Sequence, residues 1–591
     1  MKAKKLFLMC AFSAIGSLGI AQAVTHIHDW TWGRGDDGYE SGEDIVVSDD
    51  EYNYTVGEFE GTVDFHPFSS VVGSVTSNGG RDIYICKRNK HGHFVWVKSF
   101  GGSSFESVSA IDVDSESIVY VTGLFYGTVD FDPSPTTSFT MTQSGSLSAD
   151  AFICKYDANG NFVWAKMLNG RDLLNVTDIT VDGQNHVHVT GSFTDLIDLD
   201  PDPTQSIMIA SSHAWDEDGF SVTLDGNGNH VKYYLLKGSG SDVIINSVAV
   251  DANYNQYFTG KFDGLCDFNY GAGSSLLTST GTYDDAFVLK VDASNTYQWA
   301  KQFLSSVLSE GKGIHLDATN NVYTVGQFRG AIDLDPGTTN NLHSSPTFKI
   351  GSYISKLDPA GNFVYGKTIS GTGTSSQRGN VLAEGLSVTD NGQVYFAGYF
   401  DKKVDFNPGI GTHIVTAGGK NDAFICGLNT FGNFWSFSWA ESHYTDGYVR
   451  NHAIDMSTGQ DIYTTGRLTR MVDFNAVGSP HYVISGGGYD MFTNKLERYN
   501  PFPYPSFKSA GTVENLEVSI FPNPTADFVT VSIPGEGAAD IEVYSAAGQL
   551  IYTEQCEAGF SRISLEDFGN GVYTVIVKQK ETSSYHKVIK H

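Results

Sequence analysis

Three pairs of histidines stand at alternate positions: His26/His28, His91/His93 and His186/His188. Alternate residues of a strand share one face, so each pair could offer two imidazoles to zinc. A zinc site also needs a third and fourth ligand, and none stands near these pairs. His188 lies three positions before Gly191, where six equivalent phrases carry Tyr54, Tyr120, Tyr257, Tyr323, Tyr395 and Tyr463; it reads as the substitute for a packing tyrosine. Paired oxygens appear at Asp130/Asp132, Asp198/Asp200 and Asp333/Asp335, with Asn269, Asn407, Asn475 and His66 in the second place of the other copies. Such pairs suit calcium, the one cofactor left open, although the loop lacks the other ligands and the glycine of a known calcium loop. The alternative is local: Asx side chains ordinarily bond their own backbone.

Acids in the long connections form a third set: Asp36, Asp37, Glu40, Glu43, Glu106, Asp172, Asp242, Glu310 and Glu384. Two of them meeting at the mouth of a pore would supply the carboxylate pair of a glycoside hydrolase or lyase. No nucleophile elbow, zinc-protease helix or phosphate-binding loop is present, so no residue is assigned a catalytic, cofactor-binding or metal role. An enzyme is the less favoured reading, and it stays open.

These residues sit in a repeat. Seven times a glycine is followed seven positions later by an aspartate: Gly57/Asp64, Gly123/Asp130, Gly191/Asp198, Gly260/Asp267, Gly326/Asp333, Gly398/Asp405 and Gly466/Asp473. A period of nearly seventy residues marks an array of small units. The second copy shows four short phrases rich in β-branched and aromatic residues, at 110–113, 118–123, 151–155 and 161–166, each bounded by Gly, Asn or Asp. That is the strand signature, and nothing in the chain beyond its leader sustains a helical period. The expected fold is all-β: a seven-bladed β-propeller of four-stranded blades over 24–497. After Asp490-Met491-Phe492 the fourth phrase is missing; Asp29-Trp30-Thr31-Trp32-Gly33 stands ahead of the first repeat instead. This N-terminal strand is therefore expected to complete the last blade and close the ring.

Lys2, Lys4 and Lys5 lead into an apolar run to Ile20, and Ala21-Gln22-Ala23 is a small-residue cleavage site, so 1–23 reads as a signal peptide with the mature chain starting at Val24. That run is too short to span a membrane, and no transmembrane segment is expected. Cys86, Cys154 and Cys426 occupy one position of three repeats and read as buried free thiols. With 67 acidic and 37 basic residues the formal charge is −30, which argues against nucleic acid as a partner.

The repeats stop near Leu496. Residues 498–513, with Pro501, Pro503 and Pro505, read as a stiff linker, and 514–591 as a second small unit, an Ig-like β-sandwich. Its strands are legible at 518–521, 528–533, 540–544, 549–552 and 571–577. The phrase Phe521-Pro522-Asn523-Pro524, then Val543-Tyr544 with Gly548, then Gly571-Val572-Tyr573, and finally Lys587 to Lys590 resemble the C-terminal sorting domain of the type IX secretion system of Bacteroidetes. The resemblance implies Sec export, passage through the type IX machinery as a partner, and a secreted or outer-membrane-attached product. The repeats resemble the bacterial β-propeller repeat family of such surface proteins, a resemblance of fold only.

Short Asp/Asn/Gly turns such as 182–185 and 157–160 crowd one face of the expected propeller. The long connections, 132–148 and 371–380 among them, fall on the other. Binding residues concentrate on long loops carried by a rigid scaffold, so a glycan or protein ligand is expected there.

Overall fold

In a computed structural model, the structure describes residues 26–34, 38–66, 73–145, 148–213, 215–271, 273–280, 283–346, 348–442, 447–475, 481–498, 519–521, 528–545, 550–565, 571–579 and 582–590. Ala21, Ala23, Val24, Asp36, Asp37, Pro522, Asn523, Pro524 and Gly548 lie outside the described residues. Every element among the described residues is a strand. The chain divides into two compact units, Met1–Asn500 and Pro501–His591.

The first unit repeats one antiparallel module. Its first copy runs Glu40–Val47, Asn53–Phe59, Asp82–Arg88, Phe94–Gly102, each strand hydrogen-bonded to the next. Six further modules follow, down to Val449–Met456, Ile462–Leu468 and Asp490–Arg498. The fourth place of that last sheet is taken by His26–Arg34, paired from His26↔Arg498 to Arg34↔Met491. Trp30 there donates its Nε1–H to Lys90 O at 3.2 Å. Trp96, Trp164 and Trp299 make the same bond to Ala158 O, Gly226 O and Pro359 O, at 3.2, 3.2 and 3.3 Å. The N-terminal strand thus stands where a fourth strand stands elsewhere, down to its tryptophan.

The recurring glycine has a steric cause. Each first strand carries a β-bulge, between Gly42 and Asp44 in the first sheet and at the equivalent point in the other six. The bulge swings a carbonyl against the second strand. A β-carbon on Gly57, Gly123 or Gly191 would collide with Ser41 O, Ser107 O or Asn175 O, and the other four glycines face the same clash. The recurring aspartate caps a loop. Asp130 Oδ1 accepts the N–H of Asp132 at 3.1 Å and of Phe139 at 2.8 Å, and Asp198, Asp267, Asp333, Asp405 and Asp473 repeat the pattern. That loop joins a small hairpin whose inner strand adds to the outer edge of the preceding sheet, as Val129↔Gly102 and Asp130↔Gly101. Five sheets have the end of their outer edge paired in this way, over two residue pairs each, whereas the hairpins that begin at Thr62–Asp64 and Ala331–Asp333 form two-stranded sheets of their own.

Asn53–Phe59 and Asp82–Arg88 are buried along their whole length. Both faces of each sheet are covered, so these strands show no polar outer face, and even Asn53, Thr55, Glu58, Asp82, Lys87 and Arg88 are buried. The first strands touch in cyclic order, each against the next and Val449–Met456 against Glu40–Val47. Cys86, Cys154, Cys266 and Cys426 are buried free thiols, and Cys556 is a half-buried one.

In the second unit the strands are Ser519–Phe521, Phe528–Ser545, Leu550–Ser564, Gly571–Gln579 and Thr582–Lys590. The separate strands expected at 528–533 and 540–544 are one eighteen-residue strand, irregular between Ile533 and Ala538. Gly-Glu-Gly at 535–537 hid this continuity, because glycine ordinarily punctuates a strand. Val529, Val531 and Ile533 from one half, and Ile541 and Val543 from the other, share a core with Tyr573, Val575 and Val588. Lys587 pairs with Thr574, Gly571 with Lys590, and Lys590 Nζ donates to Leu565 O.

Candidate functional site: the central cavity and the face of long connections

The bulges place one residue per sheet beside its neighbours' counterparts: Glu43, Ser109, Thr177, Asn246, Lys312, Glu384 and His452. All seven, with their C-terminal neighbours, line one cavity of about 230 Å³. Glu43 Oε2 meets His452 Nδ1 at 3.0 Å. Burial alone would raise the Glu43 carboxyl, yet the charge and hydrogen bond of His452 hold it below its usual range. Glu384 is raised by burial, with Lys312, His452 and Arg450 acting against that. Lys312 Nζ reaches Glu310 Oε1 at 3.0 Å, which also accepts from Asn246 Nδ2 at 2.9 Å.

Beside the bulges, side chains tie sheet to sheet. Asp44 accepts the N–H of Ile111 at 2.9 Å, Asp112 that of Val181 at 2.7 Å, and Asp178 that of Val248 at 2.9 Å. Asp455 accepts Val47 N–H at 2.8 Å, linking the last sheet to the first. Burial pushes these carboxyls up, Asp112 to about 7 and Asp178 and Asp455 to about 6.

Of the nine acids read from the sequence, Glu43 and Glu384 line the cavity and Glu310 stands beside it. Glu106 is buried where its strand begins, accepts Gly102 N–H at 3.0 Å, and is pushed by burial to about 7. Glu40 is likewise buried, and Asp242 accepts Glu217 N–H at 2.9 Å. Asp172 is exposed away from these groups.

The oxygen pairs are occupied locally. Asp132 accepts Ser134 N–H and Thr137 O–H, Asp200 accepts Asp202 N–H, and Asp335 accepts Gly337 N–H and Thr339 O–H. Among the described residues no group of three or more His, Cys, Asp or Glu side chains is arranged to hold a metal. His188 is buried in the tyrosine position, between Asp182 and Gln256 at 3.2 Å each. Burial lowers its pKa, and its bond helps hold Asp182 far below the usual range against the opposing effect of burial. The partner position changes with it: Lys87, Lys155, Lys290 and Lys356 lie over the tyrosine of their own sheet, whereas Thr223 stands opposite His188. The His28 ring lies tilted against that of His481, their centroids 4.6 Å apart, and His91 and His93 both donate their backbone N–H to Asn89 Oδ1.

The two ends of the sheets differ. At one end the tight turns satisfy themselves, Asp157 accepting from Asn159 and Asn161 and Asp114 from Glu116 and Ile118. At the end of the long connections large apolar rings face solvent: Phe105, Trp215, Tyr283 and Phe348 are 58%, 85%, 59% and 79% exposed. Cations lie over rings on the same end. Arg81 is 4.0 Å from the Tyr39 ring, Arg450 is 4.2 Å from Tyr399, and Arg467 is 4.9 Å from Tyr489 while its Nη1 donates to Tyr39 Oη at 2.6 Å. Sequence reasoning missed His452, Lys312 and these arginines. One signal could have found the bulge residues: each lies fourteen positions before its repeat glycine.

Comparison with known proteins bears on the two units separately. The repeats are 26% identical over 394 residues to an uncharacterized WD repeat-containing protein of Acanthamoeba polyphaga mimivirus, a match that covers 56% of this chain and 27% of the relative. Among solved structures, a fungal alcohol oxidase of the AA5 family in complex with copper is matched at a TM-score of 0.34 and 9% identity, over 96% of this chain and 100% of that one. Dimeric latent PorU from Porphyromonas gingivalis is matched at 0.12 and 9%, over 80% and 34%. Residues 519–591 match the secretion system C-terminal sorting domain. The chain therefore carries a type IX sorting domain at its C-terminal end, and it is a protein exported to the cell surface or released from it.

Proposed function

We propose that residues 24–497 form a seven-bladed β-propeller, closed by the strand at 26–34, that binds a glycan or protein outside the cell through the face of its long connections. In this reading a signal peptide of 23 residues precedes it. A linker at 498–513 and a sandwich at 514–591 follow, the latter engaging the type IX machinery. The observation that carries the reading is that four of the five aromatic side chains more than half exposed among the described residues, Phe105, Trp215, Tyr283 and Phe348, stand at the long-connection end, the fifth, Phe431, lying in a tight turn. Solvent-facing rings of this size on a rigid scaffold mark interaction surfaces, where aromatic residues are enriched. The cyclic contacts of the first strands and the Asp455 link support closure.

Incubating the full exported chain with a glycan array and with solubilised cell envelope tests this. Specific capture that is lost in a Trp215→Ala/Tyr283→Ala variant of unchanged thermal transition is the expected result. Capture indifferent to those rings would overturn it.

One observation favours an enzymatic second reading: Glu43, Glu384 and His452 meet in the central cavity. That reading requires new reducing ends or unsaturated products from a polysaccharide, abolished by Glu384→Gln.

A further inference from the structure

Between the fifth and seventh sheets, at the long-connection end, lies a cavity of about 470 Å³ walled in part by Arg329, Phe348, Tyr399, Lys420, Tyr448 and Arg450. Each cation rides on a ring. Arg450 is 4.2 Å from Tyr399 and 5.5 Å from Tyr448, Lys420 is 5.0 Å from Tyr448, and Arg329 is 5.4 Å from Phe348. Such contacts partly offset the loss of water around a cation and leave its donors free for a ligand.

Those donors are under-used. Among the described residues none of the three cations forms an ion pair. Arg450 spends Nη2 on Asn421 Oδ1 at 2.9 Å, and its Nε is buried with no acceptor. The one carboxylate in the wall, Asp401, is engaged by Asn380 through its backbone N–H at 2.9 Å and its Nδ2 at 2.7 Å. A second cavity, of about 570 Å³, shares Asp401 and Lys420 with the first and adds Lys402 and Lys403. Lys402 has φ 52°, at a turn where Gly61, Gly127, Gly264 and Gly330 take φ of 73°, 68°, 58° and 83°. Phe348 has φ 62°. Left-handed backbone is unfavourable for residues with a β-carbon, and for a bulky ring it is a true outlier. Asp195 and Arg470 take φ of 60° and 68° at the turn equivalent to Lys402, so that conformation belongs to the repeat, whereas Phe348 stands in a long connection.

A chain of net charge −30 thus holds five cations against one engaged carboxylate at this place. The chemistry of the walls is specific. A guanidinium with open donors takes a carboxylate in two parallel hydrogen bonds. A flat ring beside it takes the apolar face of a ring-shaped partner. The volume lies within the range of small-ligand sites. A long polyanion would meet the negative remainder of the surface, whereas a short one stays within about 8 Å, one screening length, of the cations.

We propose that this groove binds a carboxylate-bearing sugar, one or two residues of an acidic oligosaccharide, with Arg450 and Lys420 on the carboxylate and Tyr448 and Phe348 against the sugar ring. The proposal rests on the reading that the long-connection face binds, and it names the ligand class. Calorimetric titration of the full chain with trigalacturonic acid, neutral galactotriose and triglutamate tests it. The acidic trimer is expected to bind at least tenfold more tightly than either of the others. An Arg329→Gln/Lys420→Gln variant should lose at least tenfold of that affinity with its thermal transition unchanged, and Arg450→Gln at least as much. Equal affinity for acidic and neutral trimers, equal affinity for triglutamate, or a double variant that binds as before overturns the site. Capture of a neutral glycan or an envelope protein, unaffected by the double variant, would overturn this site and leave the wider binding reading standing. No capture of any envelope component would remove both.

Discussion

The side chains that tie sheet to sheet do so at a cost that depends on pH. Asp112, Asp178 and Asp455 each accept a backbone N–H from a neighbouring sheet, and burial raises their pKa to about 7, 6 and 6. A group whose folded pKa is raised binds protons in the folded state that the unfolded chain has released. From about pH 4 to about pH 7 these carboxyls therefore lower stability as pH rises. For a lone group shifted from the ordinary 3.8 to about 6 the loss is on the order of 3 kcal/mol. Asp178→Asn removes the ionisation while keeping an acceptor for Val248 N–H. The variant should match the parent near pH 4 and gain on it steadily toward pH 7.5 in thermal melts; a difference independent of pH would contradict the assignment. The capping aspartates make a different prediction. Asp130→Ala leaves two N–H groups without their acceptor and should cost about 1–3 kcal/mol in denaturant unfolding. Because the Asp132 oxygens are already taken by Ser134 and Thr137, millimolar calcium should move the parent's melting temperature by less than about 1 °C.

At the scale of elements, the repeat was legible because each recurring residue answers a local steric or hydrogen-bonding demand. Gly57 and its six equivalents avoid a carbonyl, Asp64 and its equivalents cap a loop, and Trp96, Trp164, Trp299 and Trp30 reach one carbonyl type. Such demands repeat in sequence as they repeat in space. The candidate site was not legible for the converse reason. Six residue types fill the seven bulge positions, Glu43 and Glu384 sharing one, so no phrase recurs there, and only the packing of sheet on sheet brings them to one cavity. The same holds for Arg329, Lys420 and Arg450, which come from three repeats. The N-terminal strand bears the element-scale prediction. Removing residues 26–34 exposes the full edge of Asp490–Arg498 and takes Trp30 from Lys90. An open nine-residue edge is a template for pairing with another chain. Such a truncation should lose its single cooperative melting transition and elute as dimers or larger species by size exclusion, whereas a monomer with the parent's transition would show that closure does not depend on this strand.

For the whole molecule, the division after Asn500 sets the repeated sheets apart from the unit that holds the sorting domain. The second unit has a core of its own, from Val529 and Val531 to Tyr573 and Val588. Residues 519–591 match the sorting domain, so a sorting signal for the export machinery lies in this unit. A chain ending at Asn500 keeps every described strand of the first unit, including the pairing of His26–Arg34 with Asp490–Arg498, and lacks the whole sorting unit. Expressed in a host with the type IX system, it should accumulate in the periplasm in protease-resistant form while the full chain reaches the surface or the medium. Fractionation with a periplasmic and a surface marker checks this. Surface delivery of the truncated chain would show that the repeats carry an export signal of their own, and its rapid degradation in the periplasm would show that the ring depends on its tail to fold.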